Sequence, residues 1–329
     1  MPAHDTPPAE TDIDADLVRR LLADQHPDLA GLAVREVATG WDNAIFSLGH
    51  ELVVRLPRRR LAASLVESEQ RWLPELAPAL PLPVPVPQRV GRPGRGYPWS
   101  WSVCRWLPGR TPLDGRLGDP AGVARALGGF VAAMGRPAPS DAPANPYRGV
   151  PLADRTAALH QNLDRLAGTV DRVAVLSAWA TSLAAPRWDG PPRWLHGDLH
   201  PANLLVDGDR LVAVIDFGDL CAGDPATDLG VAWMLFTPEH RSTFRGAVGQ
   251  PDDATWARGR GWALAIALAL LANSADNPPF ERLGGRTLDA VLSDPVLSDE
   301  VLSDPVLSAR QSTVQVAPDE ISDARSPGP

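Results

Sequence analysis

Two polar clusters joined by a short hairpin constrain the fold of this chain more than any other feature. Residues 196–203 read His-Gly-Asp-Leu-His-Pro-Ala-Asn, and residues 215–218 read Ile-Asp-Phe-Gly. Between them, the apolar runs 204–206 and 211–215 flank an Asp-Gly-Asp turn signal. Short apolar runs around such a signal predict a β-hairpin. Because a hairpin returns the chain to its start, the fold must bring the two clusters together.

The N-terminal third has a strand pattern after one initial helix. Apolar residues at helical spacing predict a helix over residues 12–24. The runs 34–37, 44–48 and 51–56 are separated by Gly-Trp-Asp-Asn and Gly-His, which predicts an antiparallel meander. We also predict a helix over 62–76, an extended proline-rich connector over 81–87 and a further strand over 99–106.

The rest of the chain is mainly helical, so the fold class is α+β. Predicted helices cover residues 121–134, 152–166, 173–183, 228–236, 242–248 and 256–272. A length of 329 residues also favours two lobes. The predicted divisions are a disordered leader (1–11), an N-lobe (12–106), a C-lobe (107–292) and a disordered low-complexity tail (293–329). In that tail Val-Leu-Ser-Asp repeats with a period that fits neither helix nor strand.

Composition excludes several classes of mechanism. All 31 basic residues are arginines, and this excludes a Walker A phosphate loop and a Schiff-base enzyme, because both require a lysine. The net charge of −9 argues against a general nucleic-acid partner. Cys104 and Cys221 have neither a disulfide framework nor metal-ligand spacing.

No membrane partner or export is expected from the sequence. The longest apolar run, 262–272, is too short to cross a bilayer. The N-terminus lacks a basic stretch followed by an apolar one, which is the mark of a secretory signal. We therefore expect a cytoplasmic protein.

The polar clusters contain the residue types that phosphoryl transfer requires. Kinases place a carboxylate near the acceptor hydroxyl, and an asparagine and a second carboxylate hold Mg²⁺ on the phosphates. Protein kinases supply these groups as an Asp, an Asn five residues later and an Asp-Phe-Gly beyond. Asp198, Asn203 and Asp216 have that order and spacing.

Over residues 30–290 the chain resembles the aminoglycoside phosphotransferase family, within the kinase-like superfamily of small-molecule kinases. The resemblance rests on both clusters and on Gly-Asp-Pro at 223–225 followed by Asp228-Leu229. The segments 40–43 and 53–57 are similar too. The resemblance implies a bilobal protein-kinase-like fold and an O-phosphotransferase that uses ATP or GTP with Mg²⁺.

The same resemblance implies a role for each site residue. Asp198 would orient the acceptor hydroxyl or act as its base, and Asn203 and Asp216 would bind Mg²⁺. Residues 39–43 would cover the triphosphate. The implied nucleotide contacts there are Gly40, Trp41 and Asn43, and backbone groups of Val103, Cys104, Arg105 and Trp106 would meet the base.

Arg55 departs from the family pattern, because most relatives have lysine at that position. An arginine still provides a permanent charge and can bind phosphate through two donors. Glu69, on the following helix, would anchor it. Glu67 is the alternative, but residues two apart on a helix face different sides, and Glu69 precedes Trp72-Leu73 on the expected core face.

Other polar residues near the motifs have structural interpretations. We expect His196 to pack the catalytic loop, His200 to shape it, and Asp224 and Asp228 to cap helices and anchor loops. Asp219 is left undecided. The basic run 58–60 is interpreted as a solvated loop, and the tryptophans at 233, 256 and 262 as packing residues.

The acceptor is expected to be a small hydroxylated molecule held in an acidic cleft of C-lobe helices near residues 256–277. An aminoglycoside, which is cationic, is one candidate. A metabolic kinase for a sugar, amino alcohol or amino acid is an alternative. A nucleotide-binding module with weak catalysis is another, motivated by Arg55. The sequence does not fix the oligomeric state.

Overall fold

An antiparallel sheet of five strands, in the order β1-β2-β3-β5-β4, organises the N-terminal part of the chain. The computed structural model describes residues 8–294. The strands, with the two helices that flank the sheet, are α1 (Ala15–Gln25), β1 (Val34–Thr39), β2 (Asn43–Leu48), β3 (Leu52–Pro57), α2 (Arg60–Leu76), β4 (Pro87–Gly91) and β5 (Trp101–Arg105).

The two helices bury different parts of the N-terminal core. Asp14 caps α1 by accepting a hydrogen bond from the backbone N–H of Leu17 at 2.7 Å, and α1 buries Leu17, Val18, Leu21 and Leu22. Those side chains join the buried residues of β2, β3 and β5 in one hydrophobic cluster. The second helix, α2, contacts β3, β4 and β5. All five residues of β3 from Val53 to Pro57 are consequently buried, as expected for a central strand.

The predicted meander is confirmed, and the strand β4 was missed. β1, β2 and β3 pair antiparallel in sequence. We interpreted residues 81–87 as a connector, but the chain enters a strand at Pro87 and pairs with β5. A proline is tolerated there because the first residue of an edge strand can lack a donor.

Helices form most of the C-terminal part, as predicted. Their bounds are α3 (Pro120–Met134), α4 (Thr156–Arg165), α5 (Arg172–Ala184), α6 (Ala226–Leu229), α7 (Val231–Leu235), α8 (Pro238–Val248), α9 (Asp253–Asn273) and α10 (Pro278–Leu292). The helix α9 is central and contacts α4, α5, α6, α7 and α10. Within residues 8–294, none of the helices has the length and apolar character needed to cross a membrane.

Two helix predictions needed correction, and one helix was missed. The segment 228–236 is two short helices, α6 and α7, that meet at Gly230. A Cβ there would lie 3.2 Å from the backbone nitrogen of Ala263, so glycine permits this junction to lie close against α9. α8 begins at Pro238 rather than residue 242, with proline in its first turn where a missing N–H is tolerated. α10 was not predicted.

Two small antiparallel pairs complete the C-terminal part and position the site. They consist of β6 (Arg193–Leu195) with β9 (Cys221–Gly223), and β7 (Leu204–Asp207) with β8 (Arg210–Val214). The second pair is the predicted hairpin, with Leu204 opposite Val214. The first pair was not foreseen. The described helices end at Leu292, whereas residues 1–7 of the predicted leader and 295–329 of the predicted tail lie outside the described residues.

Candidate active site

The loop of residues 196–203, which contains the candidate catalytic Asp198, is held in place by one buried carboxylate. Asp228, at 2% exposure, accepts backbone N–H bonds from His196 at 2.7 Å and Gly197 at 2.9 Å. Gly197 has φ +84°, and a Cβ there would lie 2.2 Å from the carbonyl oxygen of Asp219. The loop can therefore take this path only with glycine at position 197.

Further buried contacts tie the loop to the second polar cluster. The ring of His196 lies 4.5 Å from that of Phe217, and its Nε2 bonds with the carbonyl of Ile215 at 3.0 Å. The Asp224 carboxylate accepts a hydrogen bond from the Ala226 N–H at the start of α6. It also accepts two hydrogen bonds from Arg258, at 2.8 and 3.1 Å. The structural interpretations of His196, Asp224 and Asp228 agree with these contacts. Arg258 was not anticipated.

Cationic groups flank the Asp198 carboxylate on two sides. Arg148 Nη2 donates to Oδ1 at 3.0 Å, and His200 Nε2 lies 3.1 Å from Oδ2. Burial alone would raise the pKa of Asp198, but His200 and Arg148 together hold it well below the usual range of a carboxyl group. Burial would likewise lower the pKa of His200, and the neighbouring carboxylate raises it instead. Asp198 is therefore an ionised group suited to orienting a hydroxyl.

Asn203 and Asp216 fit the requirements of a magnesium ion. Asn203 donates through its amide nitrogen to the Asp198 carbonyl at 2.8 Å, and this leaves its oxygen as the atom available to a cation. The Asn203 carbonyl accepts from Ile215 N–H at 2.9 Å, which joins the two clusters next to Asp216. Asp216 has φ +63°, a backbone region that non-glycine residues rarely adopt, and its side chain is 55% exposed. Within residues 8–294, no three His, Cys, Asp or Glu side chains form a metal cluster by themselves.

Arg55 links the sheet to the second cluster. It donates to Glu69 at 2.7 and 3.2 Å and lies 3.5 Å from Asp216. Of the two candidate partners, Glu69 makes the ion pair, whereas Glu67 accepts a bond from Ser100 at 3.1 Å. Burial alone would lower the pKa of Arg55, and the charges of Glu69 and Asp216 raise it. The guanidinium is thus a fixed positive charge beside the proposed metal site.

The predicted phosphate loop is a tight turn that reaches toward the site. Gly40 N–H bonds to the Asn43 carbonyl at 2.9 Å, and Trp41 is 52% exposed. Asp42 forms an ion pair with Arg59. Burial raises the pKa of Asp42, the hydrogen bond and charge of Arg59 oppose this rise, and the charges of Asp216 and Asp198 add to it. The turn therefore lies within electrostatic range of both carboxylates.

Arg58 and Arg59 of the basic run after β3 are not solvated, which corrects our interpretation for these two, whereas Arg60 is exposed at the start of α2. The Arg58 side chain donates to the Gly40 carbonyl at 3.0 Å, and the Arg58 backbone N–H donates to the Asp42 carbonyl at 2.8 Å. The Arg59 side chain in the ion pair is 15% exposed. Both arginines consequently hold the phosphate loop against the start of α2.

The segment predicted to meet the nucleotide base is mostly committed to the sheet. Val103 and Cys104 are fully buried, and each pairs with both β3 and β4. The N–H of Trp106 donates to the Glu51 carbonyl at 2.7 Å. Val103 and Cys104 therefore lie inside the sheet and the Trp106 N–H is already used, whereas Arg105 and the segment that follows lie at the end of the strand. Trp106 lines a groove of about 720 Å³ there.

Several residues near Asp198 were missed. Residues 135–151 form an irregular segment that brings Arg148 to the site and Asn145 to Asp219, at 2.6 Å. The start of α10 adds Phe280, whose ring lies 5.9 Å from that of His200. An irregular segment has no periodic sequence signal that could have revealed it. Trp256 is half-buried and its ring lies 4.7 Å from that of Trp233, in agreement with its interpretation as a packing residue.

Comparisons with known proteins agree with this arrangement. The profile of the phosphotransferase enzyme family matches residues 33–262. The fold is similar to that of aminoglycoside 2'-phosphotransferase-IIIa in its GDP complex, with a TM-score of 0.64 at 17% identity over 85% of this chain and 99% of that one. It is also similar to macrolide 2'-phosphotransferase MphH from Brachybacterium faecium, with a TM-score of 0.55 at 23% identity over 84% and 98%. The chain therefore belongs to the phosphotransferase enzyme family and has its two-lobed, kinase-like fold.

Proposed function

We propose that this protein transfers the γ-phosphate of ATP or GTP, with Mg²⁺, to a hydroxyl group of a small molecule in the cytoplasm. The observation that carries the proposal is the convergence of Asp198, Asn203 and Asp216, joined by the 2.8 Å and 2.9 Å hydrogen bonds of Asn203. An ionised carboxylate, an amide oxygen and a second carboxylate are the groups that phosphoryl transfer to a hydroxyl uses.

In the proposed mechanism Asp198 orients the acceptor hydroxyl and receives its proton late. A carboxylate with a depressed pKa is a weak base, and a weak base suffices because the transition state is loose. Arg55 holds the α- and β-phosphates. Asn203 and Asp216 would hold Mg²⁺, which would supply positive charge to offset the negative charge that develops on the phosphates. Catalysis is thus mainly positioning and electrostatics.

Structural neighbours suggest which nucleotides and acceptors to test. Aminoglycoside 2'-phosphotransferase-IIIa has been seen with GDP and with GDP and kanamycin, and APH(2")-IIa with streptomycin and ATP. The macrolide phosphotransferases widen the set beyond aminoglycosides. We propose the same two-lobe division as before, with the nucleotide between residues 12–106 and 107–292.

The alternative of a binding module with weak catalysis depends on Arg55. The side chain sits between Glu69 and Asp216, which is where a phosphate-binding cation is required. We therefore expect full catalysis with arginine. Arg55→Lys tests this: turnover in a coupled nucleotide assay should not exceed that of the wild type, because lysine keeps the charge but loses the two-donor contact with Glu69. An increase of several orders of magnitude would favour the weak-module alternative.

A further inference from the structure

Arg148 has an unusual set of contacts for a largely buried cation. Its side chain is 21% exposed, and its only hydrogen bond with the described residues runs from Nη2 to Asp198. Its Nε is buried without a partner among those residues. An arginine has five N–H donors, so most of them remain unused beside the catalytic carboxylate. Such a group is costly to bury unless another partner completes it.

The ion pair is not needed to hold the segment that contains Arg148. Gly149 N–H donates to Thr227 Oγ1 at 3.2 Å, and its carbonyl accepts from Asp224 N–H at 2.8 Å. Asn145 donates to Asp219 at 2.6 Å. Since these bonds fix the backbone on both sides of position 148, a purely structural role does not account for the guanidinium.

The two oxygens of Asp198 face different halves of the site. Oδ2 faces His200 and Asn203, which are next to Asp216 and therefore on the metal and nucleotide side. Oδ1 faces Arg148, which comes from the irregular segment that ends at residue 151. The acceptor hydroxyl has to lie between Asp198 and the γ-phosphate, so the rest of the acceptor extends away from the nucleotide, on the side of Oδ1. Arg148 therefore lies on the acceptor side.

We propose that Arg148 binds the acceptor at an oxygen next to the reacting hydroxyl and disfavours an amine at that position. The inference rests on the proposed phosphotransferase function and deepens it. A guanidinium only donates hydrogen bonds, so a neighbouring hydroxyl, carbonyl or carboxylate oxygen can accept from it. An ammonium group there would meet a like charge and leave the donors unpaired.

The test uses kinetic constants for acceptor pairs that differ by one hydroxyl-to-amine replacement. The probes are kanamycin A against kanamycin B, and D-glucose against its 2-, 3- and 4-amino analogues, with NMR of the product to locate the phosphate. The variants are Arg148→Met, Arg148→Lys and the control Arg155→Met, which removes a guanidinium 5.7 Å from the Tyr147 ring in the same segment.

Arg148→Met should raise the acceptor KM by about 10–100-fold, the loss of one charge-assisted hydrogen bond, and leave the nucleotide KM at the wild-type value. Wild type should prefer the hydroxyl member of a pair by a similar factor when the replaced group adjoins the reacting hydroxyl, and Arg148→Met should erase that preference. Arg148→Lys should restore kcat more than it restores the acceptor KM. Lysine keeps the positive charge but loses the planar guanidinium that donates two parallel hydrogen bonds.

Three results would overturn the assignment. One is an acceptor KM in Arg148→Met no higher than in Arg155→Met. Another is an equal loss for both members of every pair, which indicates a structural role. A third is a raised nucleotide KM, which places the guanidinium on the triphosphate. Each of these leaves the proposed function intact. Wild-type protein that binds nucleotide but shows no acceptor-dependent turnover with any probe refutes the proposed function, and the assignment with it.

Discussion

Removing the charge of Glu69 tests the buried ion pair that holds Arg55 beside Asp216. Glu69 is 1% exposed and Arg55 is 8% exposed. Glu69 accepts two hydrogen bonds from the Arg55 guanidinium, at 2.7 and 3.2 Å. Breaking a buried ion pair by removing one partner costs about 3–5 kcal/mol. In Glu69→Gln one amide oxygen still accepts a bond, so we take about 3 kcal/mol. At about 2–4 °C per kcal/mol, the thermal midpoint should fall by about 6–12 °C.

Glu67→Gln is the matched control, because it makes the same chemical change two residues away on α2. Glu67 is exposed and accepts a single 3.1 Å bond from Ser100. Its loss should cost no more than about 0.5 kcal/mol, or about 2 °C. The measurement is thermal unfolding by circular dichroism, followed by titration with Mg-nucleotide, whose affinity should fall only in Glu69→Gln. Equal midpoints for the two variants would refute the reasoning about the buried pair.

Three further predictions rest on single positions with built-in controls. Gly128→Ala should lower the thermal midpoint, because a Cβ there would lie 2.8 Å from the backbone of α8 and overpacking costs about 1–3 kcal/mol. The control Gly129→Ala places its Cβ in open space and should not lower the midpoint. Gly197→Ala should abolish turnover, because its Cβ would lie 2.2 Å from the Asp219 carbonyl oxygen. The control Gly208→Ala is also at positive φ but in open space, and it should keep turnover. Equal losses of turnover in the two variants would contradict the steric argument. Asp216→Asn should reduce Mg-dependent turnover at least about 100-fold, and an unchanged response to Mg²⁺ titration would remove Asp216 from the metal site.

The sequence predicted those parts of the site that depend on local spacing. The hairpin between Asn203 and Asp216 followed from turn chemistry, and the choice of Glu69 over Glu67 followed from helical geometry. Both are properties of short segments, so neighbouring residues are enough to reveal them. The N-terminal meander was predictable for the same reason.

The missed features depend on contacts between distant segments. Arg148 reaches Asp198 through an irregular segment whose position is set by bonds to Thr227 and Asp224, far along the chain. The commitment of Val103 and Cys104 to the sheet depends on β4, which the proline run concealed. Pairing partners of this kind cannot be read from the spacing of one segment.

The most direct test of the proposed function compares wild type with Asp198→Asn in a coupled nucleotide-turnover assay. Both proteins receive Mg-ATP or Mg-GTP and a panel of aminoglycosides, macrolides, sugars and amino alcohols, with nucleotide affinity measured alongside. We predict acceptor-dependent turnover in the wild type and a loss of about 10²–10⁴-fold in the variant, with nucleotide affinity retained. Acceptor-dependent turnover that survives in Asp198→Asn at the wild-type rate would contradict the assignment of Asp198 as the group that orients the acceptor.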